Sequence, residues 1–238
     1  MHTPRCFVEQ TLTVGKQLEL PGPSAHHLIH VLRMRQGQTL TLFNGLGGEY
    51  NCEITLSRRS QVSVRINTFI DVERESPLFT SLGLAVLKRQ AMDAALVRAT
   101  EMGVTEIWPV ITENCSVSRH QIKPDHWLQV IRSSCEQCGR NTPPRVHQPT
   151  ELASWLNERG HELCLLANPE ATLRMTETPA NAARVAMLIG PEGGMTDGET
   201  RAAESSGFVS INLGRRVVRA ETVPTALLTL VQQRWGDL

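Results

Sequence analysis

Met187-Leu188-Ile189-Gly190-Pro191-Glu192-Gly193-Gly194-Met195-Thr196 decides how this chain is read. An apolar run stops abruptly at glycine and proline, and Thr196-x-x-Glu199 has the spacing of a helix capping box. A buried strand thus delivers a turn poor in side chains, where backbone can approach a ligand closely. A second such turn follows at Leu213-Gly214-Arg215-Arg216-Val217-Val218-Arg219-Ala220-Glu221-Thr222. Together the two turns point to a small-molecule pocket with an arginine-rich rim.

From Pro77 onward, through and beyond these turns, strands and helices alternate. Residues 82–87, 104–110, 162–167, 185–190 and 209–213 read as apolar strands. Helices are expected over 91–102, 125–138, 152–157 and 224–235, and a further one from Thr196 to a stop at Gly207. Continuous apolar strands separated by helices imply a parallel sheet covered on both faces. Ligands of such sheets sit at the carboxyl ends of the strands. Three ends are chemically distinctive: Leu166-Ala167-Asn168-Pro169-Glu170, the turn at Gly190, and Leu213-Gly214.

Before Glu73-Arg74-Glu75-Ser76-Pro77 the chain has another character. Residues 38–43, 50–56 and 61–66 alternate as strands, with Asn44-Gly45 and Gly47-Gly48 supplying a turn. A short helix is expected over 24–33, with Ser24 as its N-cap and Leu28, Ile29 and Leu32 facing inward. Short twisted strands of this kind close into a small barrel.

The composition bounds the function. The chain has 238 residues, 40% hydrophobic and 20% charged, as in a folded globular protein rather than a disordered one. No apolar run reaches the roughly 18 residues needed to span a bilayer, and no signal core opens the chain, so a cytoplasmic location is expected. Six cysteines lack a regular framework. Cys135-x-x-Cys138 has neither a second ligand pair nor a thioredoxin-like strand before it. His26-His27-x-x-His30 lacks the glutamate of a zincin motif, so no metal site is assigned. P-loop, strand-linked G-x-G-x-x-G and G-x-S-x-G motifs are missing. Formal net charge is zero, yet Arg33, Arg35, Arg58, Arg59 and Arg65 cluster early and Arg215, Arg216 and Arg219 late. Charge alone fits solvated surface arginines slightly better than phosphate sites.

The two glycine turns, in the form Leu188-Ile189-Gly190-Pro191-Glu192-Gly193-Gly194 and Leu213-Gly214-x-Arg216-Val217-Val218-Arg219-x-Glu221-Thr222, resemble those of the ribosomal RNA small subunit methyltransferase E family. The likeness extends to His27-x-x-x-Val31-Leu32-Arg33-Met34-Arg35-x-Gly37, Lys88, Ala99-Thr100-Glu101-Met102-Gly103-Val104 and Glu136-Gln137-Cys138-Gly139-Arg140-Asn141. It covers nearly the whole chain. One departure is Val223-Pro224, where the family has small residues.

The resemblance implies an α/β SPOUT domain with a deep C-terminal trefoil knot, preceded by a small PUA-like β-barrel. The boundaries would be 1–74 for the RNA-binding barrel and 75–238 for the methyltransferase domain, with the knot over about 163–235. It implies a homodimer that methylates uracil N3 of 16S ribosomal RNA, at the position numbered 1498, in the small ribosomal subunit. S-adenosylmethionine would be held by Leu166, Ile189, Gly190, Pro191, Glu192, Gly193, Leu213, Gly214 and Val218. Arg33, Arg35, Lys88, Asn141 and Arg216 would meet RNA. Uracil N3 must lose a proton, and the charge developing on the ring oxygens calls for an arginine. Arg219 and Arg140 are the candidates. Glu221 would orient an arginine or take the proton, and the two roles stay open. A structural role for Glu192 is at least as good as a chemical one. The target base must be unstacked to be reached.

Overall fold

The computed structural model describes residues 3–58, 61–157, 160–178 and 181–238. Arg59, one of the early arginines, lies outside them. The chain forms two compact units, Met1–Glu75 with Arg132–Pro143, and Ser76–Ile131 with Pro144–Leu238.

The first unit is built on a five-stranded sheet. Its strands are β1 (Arg5–Phe7), β2 (Gln17–Glu19), β3 (Thr39–Phe43), β4 (Glu49–Arg58) and β5 (Gln61–Ile70). Their order is β1-β3-β4-β5-β2, parallel between β1 and β3 and antiparallel elsewhere. The period-two pattern explains the packing: Leu40, Leu42, Cys52, Ile54, Val62, Val64 and Ile66 all turn into one core. Helix α1 (Gly22–His26) covers that core with Ala25 and runs into a π-helical turn, His27–Val31, that adds Leu28. The structure corrects the expected helix here. It starts two residues earlier than Ser24, with Pro21 at the cap position and Pro23 in the first turn, where a missing N–H costs nothing. The π turn then changes the angular register, and Leu32 ends 41% exposed instead of inward.

Strands β1 and β2 were not legible. Each has three residues, too few to display alternation.

The second unit contains β6 (Phe79–Ala85), α2 (Arg89–Glu101), β7 (Glu106–Ile111) and the first half of α3 (Pro124–Cys138). It continues with β8 (Arg145–Val146), β9 (Thr150–Glu151), α4 (Leu152–Trp155), β10 (Leu163–Ala167), β11 (Arg184–Ile189), α5 (Asp197–Ser205), β12 (Val209–Ile211) and α6 (Val223–Trp235). The sheet order is β12-β10-β11-β6-β7, with β8 and β9 both paired to β7, and every pairing is parallel. Six of the seven residues of β6 and five of the six of β11 are buried, as a sheet covered on both faces requires. One close approach fixes a residue choice. A Cβ on Gly83 of β6 would come 2.5 Å from the Trp155 ring, so α4 lies directly on a glycine. Helix α5 carries the expected capping box, Glu199 N–H donating to Thr196 Oγ1 at 3.2 Å and Thr196 N–H to Glu199 Oε2 at 2.9 Å.

Candidate functional site

Because the sheet is parallel, β6, β10, β11 and β12 all deliver their carboxyl ends to one edge. The three distinctive strand ends expected from sequence therefore meet there. Between two of them lies a solvent-open cleft of about 320 Å³, lined by Ala167, Asn168, Pro169, Leu213, Gly214, Arg216, Val218 and Val223. Four of these residues were expected to hold cofactor or RNA: Leu213, Gly214, Val218 and Arg216. Gly214 has φ +119°, a region open to glycine, and its N–H donates to Asn212 Oδ1 at 2.6 Å. A Cβ there would meet nothing within 4 Å, so the backbone rather than space selects glycine.

Ala167, Asn168, Pro169 and Val223 complete the walls. The first three follow directly on Leu166, and the change from apolar to turn residues already marked them. Val223, the departure from the family pattern, is 8% exposed and faces the cleft, while Pro224 sits in the first turn of α6.

The turn at Gly190 is used differently from its partner. Leu166 and Ile189 are 1% exposed, within the sheet behind the edge. Glu192 Oε1 accepts the Lys88 backbone N–H at 3.0 Å, which closes the N-terminus of α2. Asn114 donates through Nδ2 to the Gly194 carbonyl at 2.9 Å, and a Cβ on Gly193 would come 3.2 Å from the Asn114 Cβ. Pro191 is buried, and Gly194 N–H returns to the Pro191 carbonyl at 2.9 Å. A Cβ on Gly190 would come 2.8 Å from Met195 Cγ. These residues brace the edge, and the cleft walls come from the other two turns.

The rim is cationic. Arg215, Arg216 and Arg219 are exposed, and their side chains make no hydrogen bond or ion pair among the described residues. Arg219 follows the cleft residue Val218, and its carbonyl accepts the Thr222 N–H at 2.8 Å. Glu221 is half-buried, and its carbonyl accepts from Arg98 Nη1 at 2.7 Å. Lys88 is exposed at the start of α2.

Arg140 and Asn141 belong to the first unit, where both are held by polar partners. Arg140 is 7% exposed and donates through Nε to Glu75 Oε2 at 2.8 Å, so its guanidinium is tied to a carboxylate instead of standing ready for developing charge. Asn141 is fully buried: Oδ1 accepts from Arg5 at 2.6 Å and Nδ2 donates to the Val72 carbonyl at 3.3 Å. In the same unit Arg33 and Arg35 are exposed as expected. Cys135 is buried, which pushes its thiol up to about 12 and keeps it from being a thiolate near neutral pH.

A family model described as an RNA methyltransferase domain matches residues 74–232, and an RNA methyltransferase PUA domain matches residues 20–67. Ribosomal RNA small subunit methyltransferase E of Buchnera aphidicola subsp. Schizaphis graminum is 31% identical, over 99% of this chain and 98% of its own length. The Bacillus subtilis protein of that name is 25% identical, over 95% of each. Among solved structures, a methyltransferase from Legionella pneumophila in complex with the bound cofactor SAM has a TM-score of 0.95 at 37% identity, over the whole of both chains. Ribosomal RNA small subunit methyltransferase E from Neisseria gonorrhoeae, bound to S-adenosyl methionine, has a TM-score of 0.92 at 31% identity, again over the whole of both. From the cleft, the glycine turns and these matches together, the chain belongs to the ribosomal RNA small subunit methyltransferase E family.

Proposed function

We propose that this chain methylates N3 of a uracil in 16S ribosomal RNA, at position 1498, acting in the cytoplasm as a homodimer on the small ribosomal subunit. It is an RNA methyltransferase, and S-adenosylmethionine is its methyl donor. The observation that carries the reading is the cleft between the 167–169 and 213–218 turns, with arginines on its rim that are unpaired among the described residues. Its residues fit the cofactor. Leu213, Val218 and Val223 offer apolar walls for a purine ring, and Gly214 leaves its backbone bare. When bound, the sulfonium supplies an electrophilic methyl group for in-line displacement.

The chain's own part is alignment and charge. Arg219, whose side chain makes no hydrogen bond or ion pair among the described residues, stabilises negative charge on the uracil oxygens as the N3 proton leaves. Glu221 orients Arg219 or receives that proton. Arg33, Arg35, Lys88 and Arg216 meet RNA phosphates, which position the substrate without reading its sequence.

A trefoil knot over 163–235 is part of the proposal, and hydrogen bonds made by the loop after β10 support it. That loop accepts Asn212 N–H at Leu173 (2.8 Å) and Asn212 Nδ2 at Pro169 (2.6 Å). Further along it accepts Arg234 of α6 at Met175 (3.2 Å) and Thr178 (2.7 Å). The loop thus holds the chain on both sides of the stretch that would thread it.

Methyl transfer to intact small subunits and to naked RNA, followed by mass-spectrometric mapping of the product, tests the function. The expected product is N3-methyluracil, made preferentially on the assembled particle. Methyl on a ribose, or a preference for naked RNA, would overturn it.

A further inference from the structure

The π turn of the first unit carries features that packing does not explain. Val31 is 61% exposed and Leu32 41%, an apolar pair on the surface. Beside them the His26 and His30 rings lie 4.5 Å apart, on exposed residues. Arg33 has φ +54°, making it the one non-glycine residue with positive φ among the described residues. A β-carbon in that conformation is strained, and such strain collects at functional positions, as do π turns. Neither the Arg33 nor the Arg35 side chain makes a hydrogen bond or ion pair among the described residues. Two free cations thus flank an apolar and imidazole surface, within the segment that matches the RNA methyltransferase PUA domain.

We infer that this knuckle holds unpaired bases of single-stranded RNA: Val31, Leu32 and the His26/His30 rings contact the base faces, and Arg33 and Arg35 hold the adjoining phosphates. The charge argues for RNA over a second protein surface, since a polyanion neutralises both arginines. The apolar pair argues for exposed bases over a duplex, whose bases are stacked away and whose grooves present sugars and phosphates. The inference rests on the RNA-modifying reading above, but its test does not depend on methyl transfer.

Binding of the full-length protein to a fluorescent single-stranded oligoribonucleotide, and to the duplex of the same sequence, is measured across a salt series. Single strand is expected to bind at least tenfold more tightly than duplex. Val31→Ser combined with Leu32→Ser should remove most of that preference while leaving the salt slope unchanged. Arg33→Ala and Arg35→Ala should each lower the slope by about one. Arg33→Gly should melt higher than Arg33→Ala, because glycine relieves the strain, yet bind RNA no better. Equal affinity for single strand and duplex in the wild type would overturn base contact. So would an apolar double variant that binds normally, including one that changes only the oligomeric state, which would make the knuckle a protein interface. Wild-type RNA binding of this kind with no N3-methyluracil formed would sink the proposed target and leave the knuckle standing.

Discussion

At the scale of single residues, two arginines of equal promise in the sequence part company. Arg140 is buried against Glu75, whereas Arg219 is exposed beside the cleft with its guanidinium unpaired among the described residues. An arginine already neutralised by a carboxylate adds little to a developing oxyanion, so Arg219 carries the chemical expectation. Arg219→Ala should lower kcat about a hundredfold or more while cofactor affinity, measured by calorimetry, changes far less. An unchanged turnover would remove Arg219 from the mechanism. Gly214 makes a different prediction. Its φ of +119° is strained for any other residue although a Cβ would have room. Gly214→Ala should therefore cost about 1–3 kcal/mol in backbone strain. The weakened turn should bind S-adenosylmethionine less tightly, and full affinity at full stability would show that the turn tolerates a side chain.

Elements explain why the two glycine turns, so alike as sequence, have different surroundings. The turn after β11 lies between neighbours that both reach it: Glu192 ties it to the start of α2, and Asn114 ties it to the segment after β7. The turn after β12 is at the end of the sheet order and borders the cleft. Glu192→Ala should then cost stability, about 1 kcal/mol for a lost helix cap, with a smaller loss for Glu192→Gln, which keeps an acceptor. Equal melting temperatures for Glu192→Ala and wild type, with a collapse of turnover, would instead make Glu192 chemical. Continuous apolar runs made β6, β10 and β11 readable, and the Thr196–Glu199 capping box with Gly207 made α5 readable. The roles of Glu192, Arg140 and Asn141 had no such signal. Their partners lie 104, 65 and 136 residues away, and composition does not encode which distant group a polar side chain will find. The π turn was illegible for a related reason, since one extra residue in a turn leaves the apolar spacing almost intact while rotating Leu32 outward.

For the whole molecule, acid stability follows from where the buried carboxylates are held. Each compact unit contains one whose pKa is lowered. Burial raises the Glu49 pKa, but Arg74 and Arg5 outweigh it; burial raises that of Glu106, but the Trp108 indole and His147 outweigh it. A carboxyl with a lower pKa in the folded state than in the unfolded chain binds fewer protons when folded. Its stabilisation is complete above the ordinary value of 4.5 and is lost as pH falls through the folded pKa. Glu136 runs the other way. Burial raises its pKa, and the Phe7 N–H that donates to it at 2.9 Å does not offset that. Its favourable contribution is present below 4.5 and is lost as pH rises through the raised folded pKa, so at neutral pH its charge costs stability. Three glutamine variants should separate these signs in calorimetric melts across pH. Glu49→Gln and Glu106→Gln should melt below wild type at neutral pH, and the gap should narrow as acid protonates the native carboxylates. Glu136→Gln keeps an acceptor for Phe7 and loses the buried charge, so it should melt above wild type at neutral pH, with the gain vanishing in acid. A Glu136→Gln protein that melts lower at neutral pH would mean that the charge itself is needed, and the sign assigned to its burial would be wrong.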